Sequence, residues 1–260
     1  MVKFSANLGF LWPDLPLLER IEAAGQAGFK AVELHWPYDV PPEAVRQACE
    51  AHGMRLLGIN TPLGDVPKGD FGLAAVPGRE ADFQAAFDIA LDFAKASGAT
   101  AIHAMAGVPP AGQRDEAKAV FIRNIAQAAD KAARHGILVL LEAINPRDKP
   151  GYFYSTVGEV ADLMEQIARP NVRMMFDVYH VGVAEGDILT KLARHLPDIG
   201  HVQIAAVPSR AEPDEGEVAF RAIFEALDGL GYAGWVGCEY KPRGDTREGL
   251  RWTDALDVTL

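Results

Sequence analysis

The chain has 260 residues, 49% of them hydrophobic and 23% charged, with 36 acidic against 25 basic side chains and a net charge of −11 at pH 7. That is globular composition, which excludes a disordered, collagenous or coiled-coil chain. The acidic balance argues against nucleic acid as a partner, because such contacts start with Lys and Arg neutralising phosphates.

Strand-like apolar runs recur at 3–9, 31–36, 54–60, 100–107, 137–144, 172–178, 200–206 and 235–241. Several are apolar almost throughout, as strands buried on both faces are. Stretches with helical spacing lie between and after them, at 16–28, 41–53, 80–98, 114–135, 155–168, 187–196, 217–230 and 246–257. The first has Leu17, Ile21 and Ala24 on one face. The second opens on Pro41 and Pro42 and closes on Gly53, ordinary helix punctuation. Strand-then-helix alternation of this kind predicts a parallel sheet, and this number of units closes into a barrel. The expected fold is α/β, a single (β/α)8 TIM barrel over residues 1–260. A doubly wound open sheet more often carries a Gly-rich phosphate turn after its first strand, and Asn7–Pro16 is no such turn.

The opening segment lacks a charged and then apolar leader, with Asp14 and Glu19 arriving early, and no apolar run is long enough to span a bilayer. No membrane association is expected. Only two cysteines occur, Cys49 and Cys238, without metal-type spacing. A reducing, cytoplasmic setting is the plain reading. The longest irregular stretch, 61–79, follows the third strand and is rich in Gly and Pro. A loop of that length over the face where barrel sites form reads as a hinged lid.

In a parallel barrel the carboxyl ends of the strands face the site. Those ends carry Asn7, Glu33 or His35, Asn60, His103, Glu142, Asp177, Gln203 and Glu239. Strand alternation puts Glu142 on the side of Leu138 and Leu140, and Glu239 on the side of Gly237, with Cys238 turned toward the helices. Three carboxylates and one amide oxygen thus converge from the last four strands. Converging carboxylates hold protons unless a cation joins them, and no Lys or Arg stands on these ends. All-oxygen donors point to Mg²⁺ or Mn²⁺.

The segments 140–153 (LLEAINPRDKPGYF), 176–180 (FDVYH), 200–217 (GHVQIAAVPSRAEPDEGE) and 234–242 (GWVGCEYKP), with 60–65 (NTPLGD) and 72–80 (GLAAVPGRE), resemble hydroxypyruvate isomerases within the xylose isomerase-like barrel superfamily. The resemblance runs from about residue 3 to residue 252. It implies a divalent metal held by Glu142, Asp177, Gln203 and Glu239, with Glu142 and Glu239 as the acid/base pair and His180 and Arg210 in the substrate pocket. Where relatives more often carry phenylalanine, this chain has Trp36; with His35 it stands to shape the pocket wall.

The activity so implied interconverts hydroxypyruvate and tartronate semialdehyde. A proton leaves the carbon beside a carbonyl, an enediolate forms, and a proton returns to the neighbouring carbon. The partner expected is a small hydroxy-carbonyl acid. Its carboxylate calls for a cation, and Arg210 suits it through bidentate geometry; Lys241 is a second candidate. His103 and Asn7, at strand ends, are read as further substrate-binding residues. Competing readings keep the fold and change the chemistry: a 2-oxo-tetronate isomerase, a sugar epimerase, or a metal-dependent dehydratase or lyase. A nuclease of the same superfamily would gather histidine and acid ligands around several zinc ions, a set the strand ends lack. A non-catalytic sugar-acid-binding protein would leave a complete ligand set idle. Barrels of this kind often pair through their helices, so a homo-oligomer is compatible with the reading.

Overall fold

The short apolar runs become strands and the amphipathic stretches become helices, in strict succession. The structure is a computed structural model that describes residues 2–260. The chain runs β1 (Lys3–Asn7), α1 (Leu17–Ala27), β2 (Ala31–Glu33), α2 (Pro42–Ala51), β3 (Arg55–Leu56), β4 (Gly58–Asn60), α3 (Glu80–Ser97), β5 (Ala101–His103) and α4 (Arg114–Ala133). It continues with β6 (Leu138–Glu142), α5 (Val157–Ile167), β7 (Val172–Asp177), α6 (Val178–Ala184), α7 (Ile188–His195), β8 (Ile199–Ile204), α8 (Phe220–Gly229), β9 (Trp235–Cys238), α9 (Thr246–Gly249) and α10 (Trp252–Leu256).

The strands form one sheet in the order β3-β2-β1-β9-β8-β7-β6-β5-β4, and every ladder is parallel. The outermost strands, β3 and β4, are two halves of the run at 54–60, broken at Leu57. The bonds Leu57 N–H to Val32 O (2.8 Å), Leu34 N–H to Gly58 O (2.9 Å) and Asn60 N–H to His35 O (2.8 Å) carry the ladder across the break. The sheet therefore closes on itself as a TIM barrel.

Strand alternation sorts the side chains into two layers. Phe4, Val32, Val139, Leu141, Phe176, Val202, Val236 and Cys238 pack outward in the core between barrel and helices. Inside, the apolar content is small: Ala101, Leu140 and Met175, with Leu138 against them. The other inward positions are buried and polar, among them Ser5, Glu33, His103, Glu142, His201 and Gln203. The barrel interior is thus a polar site resting on a thin apolar floor.

Three features depart from the sequence expectation. Helix α6 follows β7 with no loop; its sequence, VYHVGVA, is poor in strong helix formers, and Asp177 starts it by accepting the Tyr179 N–H at 2.8 Å. The last helical stretch splits into α9 and α10. The 61–79 stretch is fixed in its second half. Leu73 and Ala74 N–H reach Met105 O at 3.2 Å, Ala75 N–H reaches Ala106 O at 2.8 Å, and all three residues are buried. Gly72, at φ +104°, lies so close to Met105 that a Cβ there would fall 2.4 Å from its carbonyl oxygen. That half is anchored to the segment after β5, so any hinged closure is confined to the residues before it. Among the described residues no helix is long and apolar enough to cross a membrane.

Candidate active site

Glu142 ends β6, Asp177 ends β7, Gln203 lies in β8 and Glu239 follows the last residue of β9. Asp177 is in register with Gln203, and Gln203 with Gly237, which places Glu239 at the next inward position on its strand. All four side chains are buried. Each presents one oxygen with no hydrogen-bond partner: Glu142 Oε1, Asp177 Oδ2, Gln203 Oε1 and Glu239 Oε2. Buried polar atoms left unpaired cost free energy, so four of them on four successive strands call for a partner. The other oxygen of Asp177 is already used as the cap of α6.

The electrostatics agree. Burial, followed by the charges of Glu239 and Asp177, pushes the Glu142 carboxyl well above the carboxylate range. Burial and the Glu239 charge push Asp177 up to about 7. The pair holds protons when nothing positive lies between the acids.

Three histidines surround the acids. His103 Nδ1 stands 3.6 Å from Glu142 Oε2, and burial, with His35 nearby, pushes it down to about 3, so its ring is neutral. His180 Nε2 lies 3.8 Å from Glu142 Oε1 and 3.6 Å from Asp177 Oδ2. Glu142, Asp177 and His180 place their ligand atoms within 4.8 Å of one another. The Asn145 backbone N–H, however, donates to His180 Nδ1 at 3.2 Å. A backbone N–H only donates, so Nδ1 is the acceptor and the neutral ring carries its proton on Nε2. His180 is a donor aimed at the two carboxylates, with no lone pair left for a metal. His35 Nε2 sits 3.3 Å from Glu239 Oε1.

Arg210 reaches the same glutamate. Its Nη2 donates to Glu239 Oε1 at 3.3 Å and its Nη1 to Asp148 Oδ2 at 3.2 Å. The guanidinium lies between the rings of Phe10 (5.0 Å) and Tyr179 (4.8 Å), and its buried Nε has no partner. The backbone there adopts φ +57°, a conformation a side-chain-bearing residue holds only under constraint. The bonds Arg210 N–H to Ala206 O (2.7 Å) and Lys241 N–H to Arg210 O (2.8 Å) supply that constraint. Above the acids opens a cleft of about 570 Å³, whose walls include Phe10, Trp36, Phe71, Met105, Lys149 and Lys241.

The model of the xylose isomerase-like TIM barrel family matches residues 21–256. The chain belongs to that family. Within it the relatives that match nearly the whole chain at 35–45% identity are named hydroxypyruvate isomerase or 2-oxo-tetronate isomerase, and the chain is an isomerase. It is 44% identical over 253 residues to the 2-oxo-tetronate isomerase of Haemophilus influenzae, covering 97% of this chain and 98% of that one. It is 35% identical over 255 residues to the hydroxypyruvate isomerase of Escherichia coli K12, covering 98% and 99%. A solved structure from Brucella melitensis, described as an AP endonuclease of family 2, superposes with a TM-score of 0.95 at 41% identity, covering 98% of each chain.

This xylose isomerase-like chain gathers the strand-end residues unevenly. Glu142, Glu239, His103, His180 and Arg210 line the cleft, Asp177 is buried beside Glu142 and His180, and Gln203 lines the adjoining barrel interior with Glu142 and Glu239. Asn7 is buried beside them, but its Oδ1 accepts the Gly9 N–H at 2.9 Å and so shapes the turn after β1. Lys241 lines the cleft at its exposed rim. Of the two strand-end candidates on the second strand, Glu33 turns into the barrel and His35 sits at the mouth. His201 is a further inward residue that the strand-end pattern does not include. It faces inward two positions before Gln203, and the period of two that identified Gln203 also points to it.

Proposed function

We propose that this isomerase interconverts hydroxypyruvate and tartronate semialdehyde, with a divalent cation, Mg²⁺ or Mn²⁺, held by Glu142, Asp177, Gln203 and Glu239. The four partnerless buried oxygens carry this reading. They are hard donors, one from each of four successive strands, which suits these cations better than softer ones. When bound, the cation would stabilise the negative charge that develops on the substrate oxygens.

The side chains account for the rest. Glu142 and Glu239 stand on strands separated by β7 and β8, so they address one substrate from two sides: one takes the proton from carbon and the other returns it to the neighbouring carbon. Arg210 and His35 hold Glu239 Oε1, so Oε2 is the oxygen whose lone pairs serve the cation and the proton. His180 presents its Nε2–H toward Glu142 and Asp177 at 3.8 and 3.6 Å, too far for a hydrogen bond, and so adds a donor to the site without occupying either oxygen. Arg210, through its unused Nε–H, meets the substrate carboxylate. The partner is a small hydroxy-carbonyl acid; the net charge of −11 counts against nucleic acid.

A second reading, a 2-oxo-tetronate isomerase, draws on the Haemophilus influenzae relative at 44% identity and on a cleft of about 570 Å³, roomy for a three-carbon acid. Proton NMR in D₂O separates the two. Metal-stripped protein is mixed with hydroxypyruvate, or with the four-carbon acid, and Mg²⁺ or Mn²⁺ is added back. Metal-dependent deuterium uptake with tartronate semialdehyde appearing supports the first reading. Turnover of the four-carbon acid alone supports the second. No exchange with either sinks both. Glu142→Gln and Glu239→Gln should each slow exchange by about 10²–10⁴-fold, and near-normal exchange in either variant removes that residue from the role.

A further inference from the structure

Gln203 is the one neutral residue among the four proposed ligands, and its carboxamide has two ends. Only one of them, Oε1, serves a cation; the other, the NH₂ group, repels it. Something must decide which end faces the acids.

Glu33 does so from the other side of the barrel. It stands on β2, separated from β8 by β1 and β9. Its Oε2 nevertheless accepts from Gln203 Nε2 at 2.7 Å. Ser5 Oγ donates to its Oε1 at 3.2 Å, and His201 Nε2 lies 3.1 and 3.2 Å from its two oxygens. An ionised carboxylate only accepts, so it admits the NH₂ end of Gln203 and excludes the oxygen end. Gly237 makes the reach geometrically feasible. It is in register with Ser5 on β1 and with Gln203 on β8. A Cβ at 237 would fall 2.0 Å from Glu33 Oε1 and 2.9 Å from His201 Nε2. Its φ is not positive, so glycine is required there by space and not by backbone conformation.

We infer that Glu33 is a positioning residue. With Ser5, His201 and the gap at Gly237, it fixes the amide of Gln203 so that Oε1 is committed to the cation site. The inference rests on the cation reading above. It assigns the buried Glu33–His201 pair a purpose beyond filling the barrel.

The test is Mn²⁺ binding to metal-stripped protein, followed by calorimetry and by the Mn²⁺ EPR signal, with circular dichroism melting to show that each variant is folded. Glu33→Gln, which can offer its own NH₂ to Gln203, and Gly237→Ala, which displaces Glu33, should each weaken Mn²⁺ binding about 10- to 100-fold. Gln203→Glu alone sets two carboxylates against each other and should also bind poorly. The double variant Glu33→Gln with Gln203→Glu restores a donor facing an acceptor, and its affinity should exceed that of either single variant. Recovery of this kind supports positioning, because a role in stability alone has no reason to be restored by the exchange. Wild-type affinity in both Glu33→Gln and Gly237→Ala overturns the inference while leaving the cation site standing. So does a double variant no better than the singles. Absence of Mn²⁺ binding to the wild type overturns the cation reading, and the inference with it, as a separate result.

Discussion

Arg210 shows how one side chain serves two charges. Its two Nη groups are occupied by Glu239 and Asp148, and Tyr179 donates to the same Asp148 at 2.9 Å. The guanidinium is therefore set in place before any substrate arrives, which reduces the ordering cost of binding an anion. Loss of a hydrogen bond to a charged group costs about 1.5–3 kcal/mol. Arg210→Ala should accordingly raise KM for acidic substrates by roughly tenfold to a hundredfold and leave KM for neutral sugars nearly unchanged in steady-state assays. An equal rise for both classes would show that Arg210 acts through Glu239 and not on the carboxylate. At this scale the sequence was a good guide to residue types and a poor one to their states. That His180 is a donor follows from one backbone N–H, that of Asn145, and no spacing in the chain announces it.

At the scale of elements, the strands do the placing and the helices that follow hold their ends. Helix α5, which packs against β6 and β7, begins in a capping box: Thr156 Oγ1 accepts the Glu159 N–H at 3.2 Å, and Glu159 Oε2 accepts the Thr156 N–H at 3.2 Å. Removing one such cap costs about 1 kcal/mol, so Thr156→Ala should lower Tm by roughly 2–4 °C. Turnover should be unchanged, since no cleft residue moves; a matching loss of activity would mean that α5 tunes the ends of β6 and β7. The run at 54–60 read as one strand, and the break at Leu57 was not legible. It arises where the barrel closes, with the same few residues pairing to β2 on one side and to β5 on the other. Helix α6 has no signature in the sequence for a related reason. It owes its start to the Asp177 side chain and its burial to the barrel end, not to helix propensity.

For the molecule as a whole, proton and metal binding should compete. Glu142 and Asp177 have folded-state carboxyls above their ordinary values of 4.5 and 3.8, Asp177 at about 7. A raised folded-state pKa contributes stability that is complete below the ordinary carboxyl range and is lost as pH rises through the raised value. From Asp177 the metal-free protein should lose stability between about pH 4 and pH 7, and Glu142 adds to the loss in the same direction. A cation replaces the protons and removes that loss. At a hundredfold excess over Kd the cation adds about 2.7 kcal/mol, or roughly 5–10 °C in Tm. Differential scanning calorimetry of stripped and Mn²⁺-loaded protein should show a larger increment at pH 8 than at pH 5. An increment independent of pH would argue that the carboxyls are not the ligands.

The sequence by itself determined the alternation of strand and helix, the parallel sheet that it forces, and the acids and amide at four successive strand ends. These are local or periodic properties, because a period of two decides which way a strand residue faces wherever the strand lies. Only the tertiary structure decided what those residues meet. Glu33 and Gln203 are 170 positions apart. Their contact depends on the curvature that brings β2 round toward β8 and on an empty place at Gly237. The ion pair of Arg210 with Asp148 likewise joins loops 62 positions apart. Contacts of this kind are set by closure of the barrel, and closure is a property of all the strands together.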